Sequence, residues 1–321
     1  MRGFAFFFPI CLLLASLVHA AEDDKVMGYY AAETPGEILD AQIVALTPPN
    51  FKGVFFLQGG GGKIRVEVPG TGENGTAKFE GPVELFGGGT GTLTATLENK
   101  AMKAKVEGGG KTAEATLARK VFQPKTLGLA PPEGAIALLD NLEGWHLTRQ
   151  DWDWDEEKKS MSPGRSSNVT ERVFGDAQYH IEFMCPFMPN ETGQGRGNSG
   201  IYLQGRYEVQ VLDSFGELPA WDYCGGIYKI AAPRIIASLP PLNWQTYDIT
   251  FHAPQFAADG KKTKNAVITV VHNGVTIHEN LELPDITGGS LDGKEGPTGP
   301  LMLQDHGDRV EYRNIWVKPL G

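Results

Sequence analysis

Residues 197–213, GNSGIYLQGRYEVQVLD, place an unusual set of polar side chains on one face of a predicted hairpin. Apolar and polar residues alternate with period two on both sides of Gly205-Arg206, which predicts two half-buried strands joined by a two-residue turn. Glycine at the first turn position favours a type II′ turn. The polar face consists of Tyr202, Gln204, Glu208 and Gln210. Amides and a carboxylate beside an aromatic ring can hold the hydroxyls of a polyhydroxylated ligand, whereas an ordinary solvated sheet face is the alternative.

Several ionisable side chains could do chemistry beside this face. They are Glu208, Asp213, Asp222, Asp305 and His306. His306 lies in a tight Gln-Asp-His-Gly turn, and strand parity predicts that it shares a face with Gln304. Groups of this kind can act as a general base or acid. A structural role is the alternative for each, such as an exposed turn position for His306 or an ion pair of Glu208 with Arg206 or Arg313.

The composition indicates the kind of fold that must position these groups. The 321 residues include 41 glycines and 21 prolines, and no segment has a sustained apolar period of 3.6 residues, so we expect an all-β protein. The net charge of −10 offers no basic stripe that could neutralise phosphates. Nucleic acids and anionic membrane surfaces are therefore not expected as partners.

The first twenty residues have the pattern of a signal peptide. Arg2 precedes the apolar run Phe4–Val18, and Val18-His19-Ala20 fits a small-x-Ala cleavage site. We therefore expect a secreted or periplasmic protein with no membrane insertion after removal of residues 1–20. An uncleaved anchor is the alternative, although the apolar run is short for a membrane span. Cys185 and Cys224 remain in the mature chain, where they could pair or stay as buried thiols.

The mature chain is predicted to contain two β domains. Residues 21–122 alternate short strand-like runs with three glycine clusters that suit hairpin turns, which predicts a small accessory domain. Residues 123–133, QPKTLGLAPPE, are predicted to be a linker because proline cannot donate to a strand ladder. Residues 134–321 contain about ten further strand-like runs, which predicts two antiparallel sheets packed face to face.

The second domain carries an ordered series of short motifs. They are NSGIYLQGRYEVQVLD at 198–213, CGGIY at 224–228, WQTYD at 244–248, HNG at 272–274, GPLMLQDHG at 299–307 and RNIWV at 313–317. This series resembles the 3-keto-disaccharide hydrolase domain family over roughly residues 135–320. The resemblance implies a concanavalin A-like jelly-roll β-sandwich that hydrolyses glycosidic bonds in 3-keto sugars. The Glu-x-Asp-x-x-Glu motif of jelly-roll glucanases does not occur at 208–213, so a mechanism with two close carboxylates is not supported.

The implied substrate suggests a reaction. A 3-keto sugar has acidic hydrogens beside its carbonyl, so cleavage could proceed by proton abstraction and elimination, followed by hydration. This requires a base and a group that polarises the carbonyl. We expect catalytic roles for Glu208, His306 and Asp305. We expect substrate-binding roles for Arg196, Asn198, Tyr202, Gln204, Arg206, Gln210, Asp213, Asp222, Tyr228 and Gln304.

Other functions remain open at this point. No cofactor is certain, although a divalent cation held by Glu208, Asp213 and His306 is conceivable. The expected partner is a carbohydrate or glycoside. A non-catalytic carbohydrate-binding module and a structural protein of the cell surface are the alternatives to an enzyme. An enzyme should gather a carboxylate and a His or Arg over one groove, whereas a lectin needs only aromatic rings and amides.

Overall fold

The structure is a computed structural model that describes residues 25–59, 62–85, 88–139, 144–146, 152–164 and 166–321. The predicted signal peptide lies outside the described residues. The chain forms two compact units, one ending at Val121 and one running from Phe122 to Gly321. Among the helices that the structure describes, none is long and apolar enough to cross a membrane.

The first unit is a closed barrel of eight antiparallel strands. The strands are β1 Gly28–Ala32, β2 Ile38–Ala45, β3 Asn50–Gly59, β4 Gly62–Glu73, β5 Thr76–Glu84, β6 Thr90–Glu98, β7 Ala101–Gly108 and β8 Lys111–Lys120. Buried and exposed residues alternate along β6 and β7, where Leu93, Leu97 and Met102 lie in the interior. Because β8 pairs with β1, the barrel leaves no open sheet edge among these strands.

The described residues of the predicted glycine turns fit hairpins, whereas Gly60, Gly61 and Gly87 lie outside the described residues. Gly109 and Gly110 have φ of 56° and 73° where they join β7 to β8, and Gly59 pairs with Gly62 where β3 meets β4. Left-handed φ angles of this kind are accessible to glycine at little cost, which explains why glycines cluster at the hairpin turns.

The described part of the second unit contains fifteen strands and one short 3-10 helix, Gly193–Gly195. The strands are β9 Ile136–Ala137, β10 Trp145–His146, β11 Asp153–Asp155, β12 Ser160–Ser162, β13 Asn168–Phe174, β14 Ala177–Met184, β15 Ser199–Leu203, β16 Tyr207–Val211, β17 Gln245–His252, β18 Gln255–Phe256, β19 Lys262–Lys264, β20 Ala266–His272, β21 Val275–Leu283, β22 Gly299–Leu303 and β23 Glu311–Pro319. Six of these strands have only two or three residues, and such short strands carry no period that a sequence could reveal.

Two sheets of the second unit form a jelly-roll β-sandwich, so the predicted fold class is confirmed. One sheet has five strands in the order β10-β13-β22-β15-β16, and the other has eight, with β11-β12-β23-β14-β17-β20-β21 in order and β9 paired to β23. Buried apolar side chains from both sheets share one core, as Val209 and Leu303 of the first and Phe183 and Tyr247 of the second illustrate. The five-stranded sheet carries the polar face that the sequence singled out.

The hairpin β15–β16 forms as predicted, but its turn is of another type. Leu203 pairs with Tyr207, and the Arg206 N–H donates to the Leu203 carbonyl. Gln204 and Gly205 both have left-handed φ, 54° and 66°, as a type I′ turn requires, so the predicted type II′ turn is wrong.

The proline-rich stretch predicted as a linker is bound to the second unit. The Gly128 N–H donates to the buried carboxylate of Glu182 on β14. The Leu129 carbonyl accepts from the indole N–H of Trp316 on β23 at 3.2 Å. Residues 126–129, called the docked segment below, therefore supply hydrogen bonds to polar groups of the eight-stranded sheet.

Candidate active site

The polar face of β15 and β16 is buried under loops. Tyr202 pairs directly with Glu208 and Gly200 pairs with Gln210, while the apolar residues of both strands lie in the core on the other side. Glu208 is only 3% exposed and Tyr202 only 1%. The alternative of an ordinary solvated sheet face is therefore excluded.

Gly200 makes room for the carboxylate of Glu208. A Cβ atom built on Gly200 would lie 2.5 Å from Glu208 Oε1 and 2.8 Å from Tyr202 Cε2. Any side chain at position 200 would thus displace the Glu208 carboxylate or the Tyr202 ring. The absence of a side chain at this one strand position lets a long acidic side chain lie flat across the neighbouring strand.

The carboxyl of Glu208 is buried and is not neutralised by the arginines that the sequence suggested. Burial raises the pKa of Glu208 to about 7. Arg206 instead binds both carboxylate oxygens of Asp292, at 3.0 and 2.7 Å, and Arg313 binds Glu182 at 2.7 Å. A carboxyl that is about half ionised near neutral pH is suited to take up and return a proton.

Tyr202 connects Glu208 to the loops above the sheet. Its hydroxyl donates to the Gly288 carbonyl at 3.0 Å and accepts from Gln304 Nε2 at 3.2 Å. Burial, followed by the nearby charge of Glu208, raises the pKa of Tyr202 above its ordinary value. The phenol therefore stays protonated, and its one proton is donated to the Gly288 carbonyl.

The free edge of β16 is covered at both ends. Near its start, the Glu208 N–H donates to the Thr287 hydroxyl at 2.9 Å. Near its end, Gln210 exchanges backbone hydrogen bonds with Gly225 and Gly226, both at 2.9 Å. The strand that carries Glu208 is thus fixed on both sides, as a site that positions a reacting group requires.

A second hydrogen-bond network, made of amide side chains, surrounds Gln210, which lies two residues after Glu208 on β16. Gln194 of the 3-10 helix accepts from Gln210 at 3.4 Å and from Asn198 at 3.2 Å, and its own amide donates to the Asp222 carbonyl at 2.6 Å. The buried Oδ1 of Asn198 and Oε1 of Gln304 have no hydrogen-bond partner among the described residues. Both oxygens can accept from ligand hydroxyls.

Three predicted binding residues have structural roles instead. Arg196 and Asp213 form a buried ion pair at 2.6 Å that joins two loops. Gln204 donates to the Phe174 and Pro297 carbonyls and so anchors the loop before β22. Arg196 and Asp213 are thus engaged with each other, and the amide nitrogen of Gln204 is engaged within the protein, whereas the buried Oε1 of Gln204 has no partner among the described residues.

Arg206 has the same kind of structural role. Besides binding Asp292, it donates to the Thr298 carbonyl at 2.8 Å. Its guanidinium thus holds the loop between β21 and β22 and cannot also polarise a substrate carbonyl.

The turn after β22 differs from the prediction. The strand ends at Leu303, so the parity argument that placed Gln304 and His306 on one face does not apply. Gln304 contacts Tyr202, whereas His306 is exposed and the Asp305 carboxylate accepts from the Gly307 N–H within the turn. The contacts described here bring neither His306 nor Asp305 to Glu208.

The conceivable cation site is not assembled. Among the described residues, no group of three or more His, Cys, Asp or Glu side chains is arranged to hold a metal ion. Asp213 forms its ion pair with Arg196 at 2.6 Å. Cys185 and Cys224 are both buried free thiols, which corresponds to the second of the two alternatives for them.

Sequence reasoning missed three contributors to this site. Gln194 lies in a glycine-rich loop, Thr287 and Gly288 lie more than seventy residues after β16, and none of them belongs to a period or a motif. The one indication for Gln194 was its position four residues before Asn198, whose side-chain amide donates to the Gln194 carbonyl. Thr287 and Gly288 gave no signal, because only the fold brings them to the polar face.

Comparison with known families now adds to this geometry. The model of the 3-keto-alpha-glucoside-1,2-lyase-like domain matches residues 134–318, which is more than half of the chain. The chain belongs to this family. The resemblance noted in the sequence is therefore confirmed, and the matched residues include both strands of the hairpin that carries Glu208.

Two solved structures are similar to this chain, and the first agrees with this assignment. A crystal structure from Parabacteroides distasonis ATCC 8503, described provisionally as a glycosyl hydrolase, is 34% identical, and the match covers 59% of this chain and 85% of that chain with a TM-score of 0.53. A second structure from the same organism, with the same description, is 18% identical and covers 58% and 99% of the two chains with a TM-score of 0.44. No curated protein matched the chain. The family and the first neighbour support a glycoside hydrolase-like, carbohydrate-active role.

Proposed function

We propose that this protein is a secreted or periplasmic enzyme that cleaves the glycosidic bond of 3-keto-disaccharides or related glycosides, with Glu208 as the general base. The observation that carries the proposal is a buried carboxyl with a pKa near 7 that neither Arg206 nor Arg313 neutralises. A carboxyl whose pKa is raised by burial is a candidate for a functional site, because catalytic acids and bases need pKa values near the working pH.

The reaction follows from the acidity of a carbon beside a ketone. The Glu208 carboxylate removes the hydrogen on C2, and the electron pair of that C–H bond forms a C1–C2 double bond as the bond from C1 to the glycosidic oxygen breaks. The departing oxygen takes a proton from solvent water. A second water then adds its OH to C1 and releases its remaining proton to solvent, which balances the proton taken by the leaving oxygen. C2 takes a proton from the Glu208 carboxyl, whose proton exchanges with solvent while the intermediate is bound, and this step gives the free 3-keto sugar and restores the Glu208 carboxylate.

The groups around Glu208 suit the remaining tasks. The neutral Tyr202 hydroxyl donates to the Gly288 carbonyl and accepts from Gln304, so it fixes the Gln304 amide over the face that carries the carboxyl. The amides of Asn198, Gln210 and Gln304 can hold sugar hydroxyls in a fixed orientation. Asn198 and Gln304 each offer a buried carbonyl oxygen for this purpose.

The same amides also favour a second candidate, a carbohydrate-binding protein without catalysis. The network of Gln194, Asn198 and Gln210 would hold hydroxyls equally well in a lectin. The two candidates differ in the role of Glu208. Burial makes the Glu208 carboxyl costly to ionise, which would not help a lectin to bind sugar but gives a general base a pKa near the working pH.

The test compares cleavage of a 3-keto glucoside by the wild type with cleavage by Glu208→Gln. We expect aglycone release by the wild type, loss of release on the order of 1,000-fold in Glu208→Gln, and little change in the control Glu171→Gln, an exposed strand carboxyl. An unmodified glucoside should be a poor substrate, because its C2 hydrogen is not acidic. Sugar binding by the wild type without any product would favour the lectin.

The chemistry of the step has its own readout. In D2O, abstraction at C2 introduces deuterium at C2 of the product, whereas direct displacement at C1 leaves the original hydrogen. Product incubated without enzyme corrects for spontaneous exchange. The predicted location is tested separately, since N-terminal sequencing of protein recovered from the medium or periplasm should begin at Ala21.

A further inference from the structure

Trp221 is exposed in a loop that is otherwise tightly held. Trp221 is 40% exposed, whereas Cys224 and Ile227, which follow it in the chain, are buried. The Gly226 N–H donates to the Tyr223 carbonyl at 2.7 Å, and a Cβ atom on Gly226 would lie 2.2 Å from the Trp221 carbonyl oxygen. The chain therefore folds back at a position that tolerates no side chain, and this fixes the backbone of Trp221.

The ring of Trp221 is supported by Tyr228. The two rings meet edge to face, with centroids 5.0 Å apart and an interplanar angle of 78°. The Lys229 ammonium lies 5.5 Å from the Tyr228 ring centroid, so Tyr228 is supported in turn. An exposed aromatic side chain that is braced in this way has lost its rotamer freedom before any ligand arrives, which favours binding.

These rings, called the aromatic rim below, lie beside the polar face. The segment 225–227 runs alongside Gln210, which is two residues from Glu208 on the same side of β16. Two strand residues span about 6.8 Å and the neighbouring chain lies about 4.8 Å to the side, so the backbone at 225–227 lies on the order of 8 Å from that of Glu208. The Tyr228 ring lies against Gly288, where a Cβ atom would be 3.5 Å from Tyr228 Cε1, and the Gly288 carbonyl accepts from the hydroxyl of Tyr202, the strand partner of Glu208.

This spacing assigns the aromatic rim to one part of the substrate. If the 3-keto ring lies over Glu208, the group attached to C1 extends away from it by about one ring. The C–H bonds on one face of a pyranose form an apolar surface that packs well on an indole, and an aromatic aglycone would do the same. A small alkyl group is too short to reach the indole.

We propose that Trp221, braced by Tyr228, binds the leaving group of the substrate and makes the enzyme selective for glycosides with a ring at that position, either a second sugar or an aromatic aglycone. This inference rests on the proposed function, because it places the 3-keto ring by the role of Glu208. Trp221 is a specificity residue in this scheme and takes no part in proton transfer.

The test compares two 3-keto glucosides, one with a second glucose and one with a methyl group at C1. Trp221→Ala should raise KM for the disaccharide by about tenfold and leave KM for the methyl glucoside and both kcat values within about twofold. Trp221→Phe should restore most of the affinity. The matched control is Leu218→Ala, which removes an exposed apolar side chain from the same loop.

A binding experiment separates failure of this inference from failure of the proposed function. The disaccharide is titrated calorimetrically into Glu208→Gln and into Glu208→Gln with Trp221→Ala, where no turnover is needed. Weaker binding in the double variant supports the aromatic rim even if the wild type cleaves nothing. Equal binding of the disaccharide by both variants, or equal loss for both substrates in the kinetic assay, overturns the inference.

Discussion

Replacing Gly200 by alanine tests the role of Glu208 without changing Glu208 itself. The new methyl group would lie 2.5 Å from Glu208 Oε1, and ordinary contact begins near 3.4 Å, so the carboxylate or the strand must move by about 0.9 Å. A misplacement of about 1 Å in a reacting group can lower the rate about 100-fold. The crowding should also cost about 1–3 kcal/mol of stability.

The assay is kcat/KM on a 3-keto disaccharide together with unfolding followed by tryptophan fluorescence. All six tryptophans lie between residues 145 and 316, so the fluorescence reports on the second unit alone. The control is Gly175→Ala, in which the new methyl group would meet its nearest neighbour at 3.4 Å, an ordinary contact. We expect a drop of about 100-fold in kcat/KM for Gly200→Ala and none for Gly175→Ala.

The refuting result is specific. If folded Gly200→Ala keeps wild-type kcat/KM, then either Glu208 is not the base or its carboxylate is not held where the structure places it. If the variant loses stability by more than the expected 1–3 kcal/mol, the rate is measured at a temperature where fluorescence shows the second unit folded, so that the two effects stay separate.

Two further predictions rest on carboxyl groups with shifted pKa values. Because Glu208 acts as the base when ionised and its pKa is about 7, kcat/KM should rise about tenfold per pH unit below 7 and level off above it; a profile that is flat from pH 5 to pH 9 would exclude this base. Glu182→Gln should destabilise the second unit by about 3 kcal/mol at pH 7, because it leaves the Arg313 guanidinium without its anion and leaves His180 with Asp248 alone. Burial opposes ionisation of Glu182, but hydrogen bonds from His180, Asn314, Gly128 and Arg313 lower its pKa from 4.5 to about 2. Its stabilising effect is therefore present above pH 4.5 and is lost as pH falls towards 2, so urea unfolding should show the wild type and the variant converging in that range.

Local features of the fold could be predicted from the sequence because they depend on neighbours in the chain. The alternation in 199–211 places Val209 and Glu208 on opposite faces, and the structure buries the first in the core and the second under loops. The glycine clusters mark hairpin turns for the same reason, since a left-handed turn is decided within two residues. The predicted turn type was wrong because Gly205 was taken as the first central residue of the turn, whereas it is the second, after Gln204.

The partners of charged side chains could not be predicted, because the two residues of a pair lie far apart in the sequence and only the fold brings them together. Arg206 lies two residues from Glu208 in the sequence, yet it binds Asp292, which is 86 residues away. Adjacent residues on a strand point to opposite faces, and Arg206 lies in the turn, so nearness in sequence gave no information about this pairing. The same argument explains why Thr287 above Glu208 gave no signal.

The docked segment bears on where one module of this protein ends. The match to the family begins at residue 134, yet Gly128 and Leu129 complete hydrogen bonds to buried groups of Glu182 and Trp316 on the eight-stranded sheet. An excision made at the family boundary would leave a buried carboxylate short of one donor and an indole N–H short of its acceptor. The unit that folds is thus longer than the unit that recurs among relatives, and the extra residues behave as part of the sandwich although the pattern of the family does not include them.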